Sequence, residues 1–172
     1  MPTLVIHAHP LEDSYSAALR DAVCEALAAT GAACELVRLC QGEETDEATL
    51  AASDHLVVVY PTWWGGLPAV LLDWVQRTVG PWVDGESADT PSPLAAVRRV
   101  TVVTSHGSSR LLNTMQGQPG KQTWSRVVMP LCAKDARFDW MSLYKIDRSD
   151  ESGRQAFIER VRARLTSVAA PV

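Results

Sequence analysis

Residues 57–79 read VVVYPTWWGGLPAVLLDWVQRTV, where an apolar run ends in a turn and an amphipathic pattern begins. The run starts in HLVVVY at 55–60, which is too uniformly apolar to have a face suited to water. Strands buried on both faces belong to parallel sheets covered by helices. Beyond the turn, Pro68 suits the first turn of a helix. Apolar spacing then predicts a helix with a core face made of Leu71, Leu72, Val75 and Val79.

The same alternation of strand and helix continues along the chain. In addition to 55–60, the sequence predicts strands at 3–8, which is a short apolar run, at 33–39, where ACELVRL alternates, and at 98–105 and 138–146. Helical spacing covers the segment before Gly31, a weaker stretch near 120–133, and 151–168, whereas 41–53 reads as an acidic loop with room for a short helix and 80–96 as a loop. We therefore expect residues 1–172 to form one α/β domain. It would be a three-layer sandwich with a five-stranded parallel sheet in the order 2-1-3-4-5.

Composition narrows the function classes. The chain has 172 residues, 47% of them hydrophobic and 21% charged, and its net charge is −4. No apolar segment is long enough to span a membrane, and the N-terminus lacks the features of a signal peptide, so we expect a cytoplasmic protein. Basic residues are scattered apart from a C-terminal RQAFIERVRARL, which argues against nucleic acid as a partner.

Metal binding is not expected. The four cysteines show neither a CxxC pair nor zinc-ligand spacing, and in the cytoplasm they are expected to be reduced structural thiols. His7 and His9 would share one face of a strand, but no carboxylate or cysteine partner is near them in sequence.

Three turn-rich loops follow strands 1, 3 and 4, which places them at the sheet edge where ligands bind in such folds. They read HPLEDSYS, PTWWGG and SHGSS. In the first, Ser14, Tyr15 and Ser16 precede a helix, where free amides, the helix dipole and hydroxyls attract phosphate, and His9 supplies a further donor. The alternative is that Ser14 simply caps the helix. The loop is neither a Walker A motif nor GxGxxG.

The second loop carries two tryptophans, Trp63 and Trp64, in a turn. Each has a large apolar surface, so the pair either packs under the domain or against a partner, or lines a flat binding surface.

Together, AHPLEDSYSAAL, YPTWWGGLPAVLLDWVQRTV and VVTSHGS resemble the flavodoxin-like NAD(P)H:quinone oxidoreductases, including small bacterial members related to drug-modulator and potassium-efflux ancillary proteins. The resemblance extends over 3–168. Its most specific part is a proline, aromatic and glycine motif followed by an amphipathic helix. Here this motif consists of Pro61, Trp63, Trp64, Gly66, Pro68, Trp74 and Arg77.

The resemblance implies a flavodoxin-like fold that binds a flavin. It places the phosphate and ribityl end at His9, Ser14, Tyr15 and Ser16. It places the ring between two walls, made of Pro61, Thr62, Trp63, Trp64 and Gly65 on one side and Thr104, Ser105, His106 and Gly107 on the other. Longer members bind the adenine part of FAD with a C-terminal extension that is lacking here, so FMN is expected, with FAD as the alternative.

The segment after strand 4 departs from the family pattern. Longer members have a tyrosine and a histidine there that are assigned to hydride transfer, whereas this chain has SSRLLNTMQGQPG. We therefore name Trp64 and His106 as the catalytic candidates that shape the pocket. His106 is either a donor near the flavin pyrimidine edge or a surface residue.

Two functions follow from the resemblance. The first is an FMN-dependent oxidoreductase that takes hydride from NAD(P)H and reduces a quinone or similar acceptor by a ping-pong mechanism. The alternative is a flavin-binding regulatory subunit of a membrane transporter. The resemblance also implies a homodimer, and Trp82, Trp124 and Trp140 exceed what a small core needs, which suggests interface positions.

Overall fold

The computed structural model describes residues 1–87 and 89–169 and contains one parallel sheet in the order β2-β1-β3-β4-β5. This confirms the predicted fold class and strand order. The strands are β1 (Thr3–His7), β2 (Cys34–Arg38), β3 (His55–Pro61), β4 (Arg99–His106) and β5 (Arg137–Tyr144). In the register of β4 with β5, Val102 lies opposite Trp140 and His106 lies opposite Tyr144.

The helices are α1 (Tyr15–Ala29), α2 (Glu47–Ala51), α3 (Ala69–Val83), α4 (Arg110–Met115), α5 (Pro119–Gln122) and α6 (Glu151–Ala169). The chain leaves α1 through Gly31 at φ +71°, a left-handed conformation that glycine adopts without a steric penalty. The described residues include no helix that is long and apolar enough to cross a membrane.

The two faces of the sheet bury separate apolar clusters because successive strand residues point to opposite sides. Leu4, Ile6 and Val58 pack with the inner side of α3 and with Trp124. On the other face, Val5 and Val57 pack with α1 and α6. Helices therefore cover both faces, which leaves the carboxyl ends of the strands as the edge where loops can bind a ligand.

Three sequence expectations need correction, and a fourth is confirmed with a different helix type. Leu72 is exposed, because it lies about 100° around α3 from the buried Leu71. Helix α3 continues to Val83, into the stretch expected to be a loop. The stretch expected to be helical near 120–133 is helical, but it consists of α5, a π-helical segment over Thr123–Val128 and a 3₁₀ turn over Met129–Leu131 and is not one regular α-helix. Trp124 is fully buried and donates to Tyr60, so it belongs to the core and not to an interface.

Candidate functional site

The loops after β1, β3 and β4 meet at the carboxyl edge of the sheet, as the sequence predicts. The amide of Thr62 donates to the carbonyl of Ser105 at 2.8 Å, and the hydroxyls of Thr62 and Thr104 are 3.0 Å apart. The rings of His9 and Trp63 have centroids 5.7 Å apart, which brings the first loop against the second. All three loops therefore lie together at one edge of the sheet.

In the first loop, the side chains are held by the protein itself. Ser14 caps α1 by accepting from the amide of Ala17, so the capping alternative is confirmed. The Tyr15 hydroxyl donates to the carbonyl of Arg154, and burial raises its pKa to about 12. The Ser16 hydroxyl forms a buried hydrogen bond with Nε2 of His7. The groups of this loop that can bind an anion are therefore the backbone amides at the start of α1. They precede the Ala17 amide, which already donates to Ser14.

The second loop folds into a tight turn that presents Trp64 to solvent. Trp63 and Gly66 exchange two backbone hydrogen bonds, and the two residues between them, Trp64 and Gly65, have φ of +52° and +81°. A turn with two left-handed central residues usually carries asparagine or glycine, so tryptophan there is strained. Trp64 is fully exposed, and Trp63 is 42% exposed. The pair does not pack under the domain, and strain of this kind is frequent at binding sites.

At the end of β4, His106 is a buried residue, and the surface alternative was wrong. Its side chain is 4% exposed, and neither ring nitrogen has a hydrogen-bond partner in the part of the chain that the structure describes. Its ring stacks on Tyr144 with centroids 4.6 Å apart and an interplanar angle of 11°. Burial lowers the pKa of His106 to about 4. The Asn113 side chain raises this pKa, but its effect is smaller than that of burial, so the imidazole is neutral at pH 7.

A cavity of about 370 Å³ lies between the second and third loops, and no residue of the first loop is in its lining. Its walls are formed by Thr62, Trp64, Gly65, His106, Gly107, Ser108 and Gln116. A side chain at Gly107 would place its Cβ 2.8 Å from Oδ2 of Asp147, so glycine keeps this wall open without displacing the carboxylate. The volume is in the range of small-molecule sites.

Sequence reasoning missed three residues beside this cavity. Asn113 is buried on α4 and donates to Ser108, while Tyr144 and Trp140 come from β5. Tyr144 could have been found from the sequence, because it stands at the end of β5. The ends of neighbouring parallel strands meet at one edge of the sheet, and Tyr144 lies directly opposite His106 there. Between 1 and 87 and between 89 and 169, no group of three His, Cys, Asp or Glu side chains could hold a metal ion.

A family model described as having a flavodoxin-like fold, Flavodoxin_2, matches residues 1–165. The chain belongs to this family. No curated protein sequence matches the chain. The predicted resemblance to flavodoxin-like proteins is confirmed at the level of the family.

Solved structures share the fold over nearly the whole chain. Smu.1420 from Streptococcus mutans is 17% identical with a TM-score of 0.78, covering 97% of this chain and 100% of its own. An NAD(P)H:quinone oxidoreductase from Methanothermobacter marburgensis is 18% identical with a TM-score of 0.74, covering 100% and 98%. An FMN-dependent NADH-azoreductase from Bacillus anthracis, in complex with FMN, is 15% identical with a TM-score of 0.75, covering 98% and 100%.

Proposed function

We propose that this protein is a flavin-dependent NAD(P)H oxidoreductase that reduces a quinone-like or azo acceptor. The observation that carries the proposal is the pairing of two unusual residues across one cavity. Trp64 is fully exposed on a strained turn, and His106 is buried with two unpartnered ring nitrogens. The strained turn and the unpaired nitrogens each lower the stability of the fold. A flat ligand with a polar edge would contact the Trp64 ring with its face and hydrogen-bond the His106 nitrogens with its edge. The similar structures named for quinone and azo reduction support this reading.

The residues present fit a flavin. The amides of Tyr15 and Ser16 at the start of α1 would hold the phosphate, with Ser14 and His9 fixing the shape of the loop around them. The phosphate would be bound by backbone amides and not by hydroxyls, because the Tyr15 and Ser16 hydroxyls already form hydrogen bonds within the protein. FMN is the proposed flavin and FAD the alternative, since the cradle offers a single anion-binding helix end.

The ring would lie between the second and third loops. Pro61, Thr62, Trp63, Trp64 and Gly65 would form one wall, and Thr104, Ser105, His106 and Gly107 the other. When bound, a flavin supplies the redox chemistry, taking hydride from NAD(P)H and passing two electrons to the acceptor. The tryptophans exclude water from that surface.

His106 would act as a neutral hydrogen-bond donor at the edge of the ring. With its pKa lowered to about 4, its imidazole carries one N–H and no charge at pH 7, so it can stabilise developing negative charge without acting as a general acid. The His106 imidazole stacks on Tyr144, which fixes the plane of the imidazole ring. His106→Gln is therefore expected to retain flavin and to slow reduction.

Turnover tests the function. Protein loaded with FMN is mixed anaerobically with NADH or NADPH, and reoxidation by a quinone is followed in a second mixing step. Because donor and acceptor would both have to reach the same bound flavin, we expect them to enter in turn and to give the parallel double-reciprocal lines of a ping-pong mechanism. Flavin-loaded protein that oxidises neither nucleotide with any quinone or azo dye would refute the proposal.

Exposed apolar side chains near the cavity are Trp64, which lines it, and Leu111, Leu112 and Met115 of α4, the helix that runs between the lining residues Ser108 and Gln116; we call this set the rim. We expect a second copy to cover this rim in a homodimer, which sedimentation would detect as a dimer that Met115→Glu weakens. The second candidate function, a flavin-binding regulatory subunit of a membrane transporter, uses the same rim as its docking surface. A monomer in solution, bound to a transporter only in one redox state and without turnover, would favour it.

A further inference from the structure

A second cavity lies outside the candidate flavin site. It is a groove of about 710 Å³ along β5, bordered by α4, α5 and α6. Strand β5 is the last strand of the sheet, so one side of its backbone faces this groove. The groove runs from Asp139 to Tyr144, which is five residue steps and about 16 Å along a strand.

The groove is strongly basic although the chain has a net charge of −4. Four cations line it: Arg110, Lys121, Arg160 and Arg164. The only carboxylate in its lining, Asp139, is already bound, since Arg99 and Arg164 each reach one of its oxygens at 2.5 Å. Among the described residues, Arg110, Lys121 and Arg160 form no ion pair within 4.0 Å; Arg160 instead lies over the Phe157 ring at 4.8 Å. These three charges remain available to an anion.

The groove adjoins the candidate flavin site. Trp140, Tyr144, Gln118 and Lys121 line both the groove and a closed cleft with no room for a water-sized molecule. The other side of that cleft is formed by His106, Thr62 and Gly65, which also line the 370 Å³ cavity. Buried in the partition are the two unpartnered ring nitrogens of His106 and the unpartnered indole N–H of Trp140. The cavity and the groove therefore lie on either side of this closed cleft, and a ligand that occupies both has to run over its outer rim.

We propose that this groove binds the phosphates of the dinucleotide donor and favours NADPH over NADH. The inference rests on the proposed function, which requires a pyridine nucleotide at the adjoining cavity. Of the two substrates, the donor is the one with several phosphates on an extended chain, and Arg and Lys are the side chains that bind phosphate. The additional 2′-phosphate of NADPH gives it a further contact with the three unpaired cations.

Two other occupants fit the charges less well. A second copy paired edge to edge through β5 would bring Arg110, Lys121 and Arg160 near their own counterparts, because a two-fold interface repeats the same patch. An acidic peptide added to β5 would match the charge, but it would leave the aromatic wall next to the flavin site unexplained.

The test is calorimetric binding of NADP⁺, NAD⁺ and 2′,5′-ADP, which needs no turnover. The variants are Arg110→Gln, Lys121→Gln and Arg160→Gln, singly and together. The control is Arg98→Gln, an exposed arginine at the opposite end of the sheet. Each groove variant should weaken 2′,5′-ADP binding by about 5- to 10-fold and the triple variant by about 100-fold or more, with a smaller effect on NAD⁺. Added salt should weaken binding to the parent more than to the triple variant.

The outcomes separate this inference from the proposed function. Unchanged 2′,5′-ADP binding in the triple variant, in protein that still binds FMN and oxidises NADPH, overturns the groove and leaves the oxidoreductase standing. Groove-dependent binding of 2′,5′-ADP in protein that binds no flavin refutes the oxidoreductase instead. A polyglutamate peptide that binds the groove more tightly than 2′,5′-ADP also overturns the inference. In the active enzyme, the triple variant should raise KM for NADPH and leave kcat unchanged.

Discussion

Acid should destabilise this protein steeply because three buried histidines must stay neutral in the folded state. His7, His55 and His106 are at most 4% exposed. Burial lowers their pKa values from 6.5 to about 4, about 3 and about 4. The unfolded chain takes up protons near pH 6.5 and the folded chain does not. Their contribution is therefore fully present above pH 6.5 and is lost as the pH falls towards 4.

The magnitude follows from these shifts. At pH 5, each histidine costs up to about 2 kcal/mol of the free energy of unfolding, and the three together up to about 6 kcal/mol. Domains of this size have about 5–15 kcal/mol in total. Urea unfolding followed by circular dichroism at pH 7, 6 and 5 should show this fall, with an acid transition between about pH 4 and 6.

A variant isolates one of the three groups. His55 lies far from the candidate site, and its Nε2 is 2.8 Å from the hydroxyl of Thr101. In His55→Gln the amide can replace this hydrogen bond without titrating, so the slope of stability against pH should fall by about one third. Stability that is flat from pH 7 to 5, or a variant with the slope of the parent, would show that the histidines are not held neutral by burial.

Two further substitutions test the core and the turn. Tyr60→Phe removes the only hydrogen-bond acceptor of the buried Trp124 indole N–H among the described residues, so calorimetry should show a loss of about 1–3 kcal/mol. Tyr144→Phe, the control, should cost much less, and equal losses would contradict this reading. Trp64→Gly relieves a left-handed tryptophan and should leave stability unchanged or raise it by about 1 kcal/mol while weakening FMN binding. A clear loss of stability would show that Trp64 has a structural role.

The centre of the sheet was predictable because β1 and β3 are marked by apolar runs without a polar face. HLVVVY at 55–60 is buried along its whole length, so its composition reflects its position in the middle of the sheet. The weaker elements were not predictable in this way. The π-helical segment Thr123–Val128 has hydrogen bonds that follow neither common helical period, and α4 spans only six residues.

The site was predictable as three loops but not in its details. Strand order alone brings those loops to one edge, whereas the burial of His106 depends on the register of β4 with β5. That register sets Tyr144 opposite His106, 38 positions later in the chain. The engagement of the Tyr15 and Ser16 hydroxyls likewise depends on α6 and on His7, which local sequence does not reveal.

The most direct test of the account is a titration of the purified protein with FMN, followed by visible absorbance and by quenching of flavin fluorescence. We predict one FMN bound per chain, with an absorbance band perturbed by the stacked aromatic side chains, and weaker binding in Trp64→Gly than in the exposed control Arg98→Gln. If neither FMN nor FAD binds, the three loops do not form a flavin site and the proposed function is wrong.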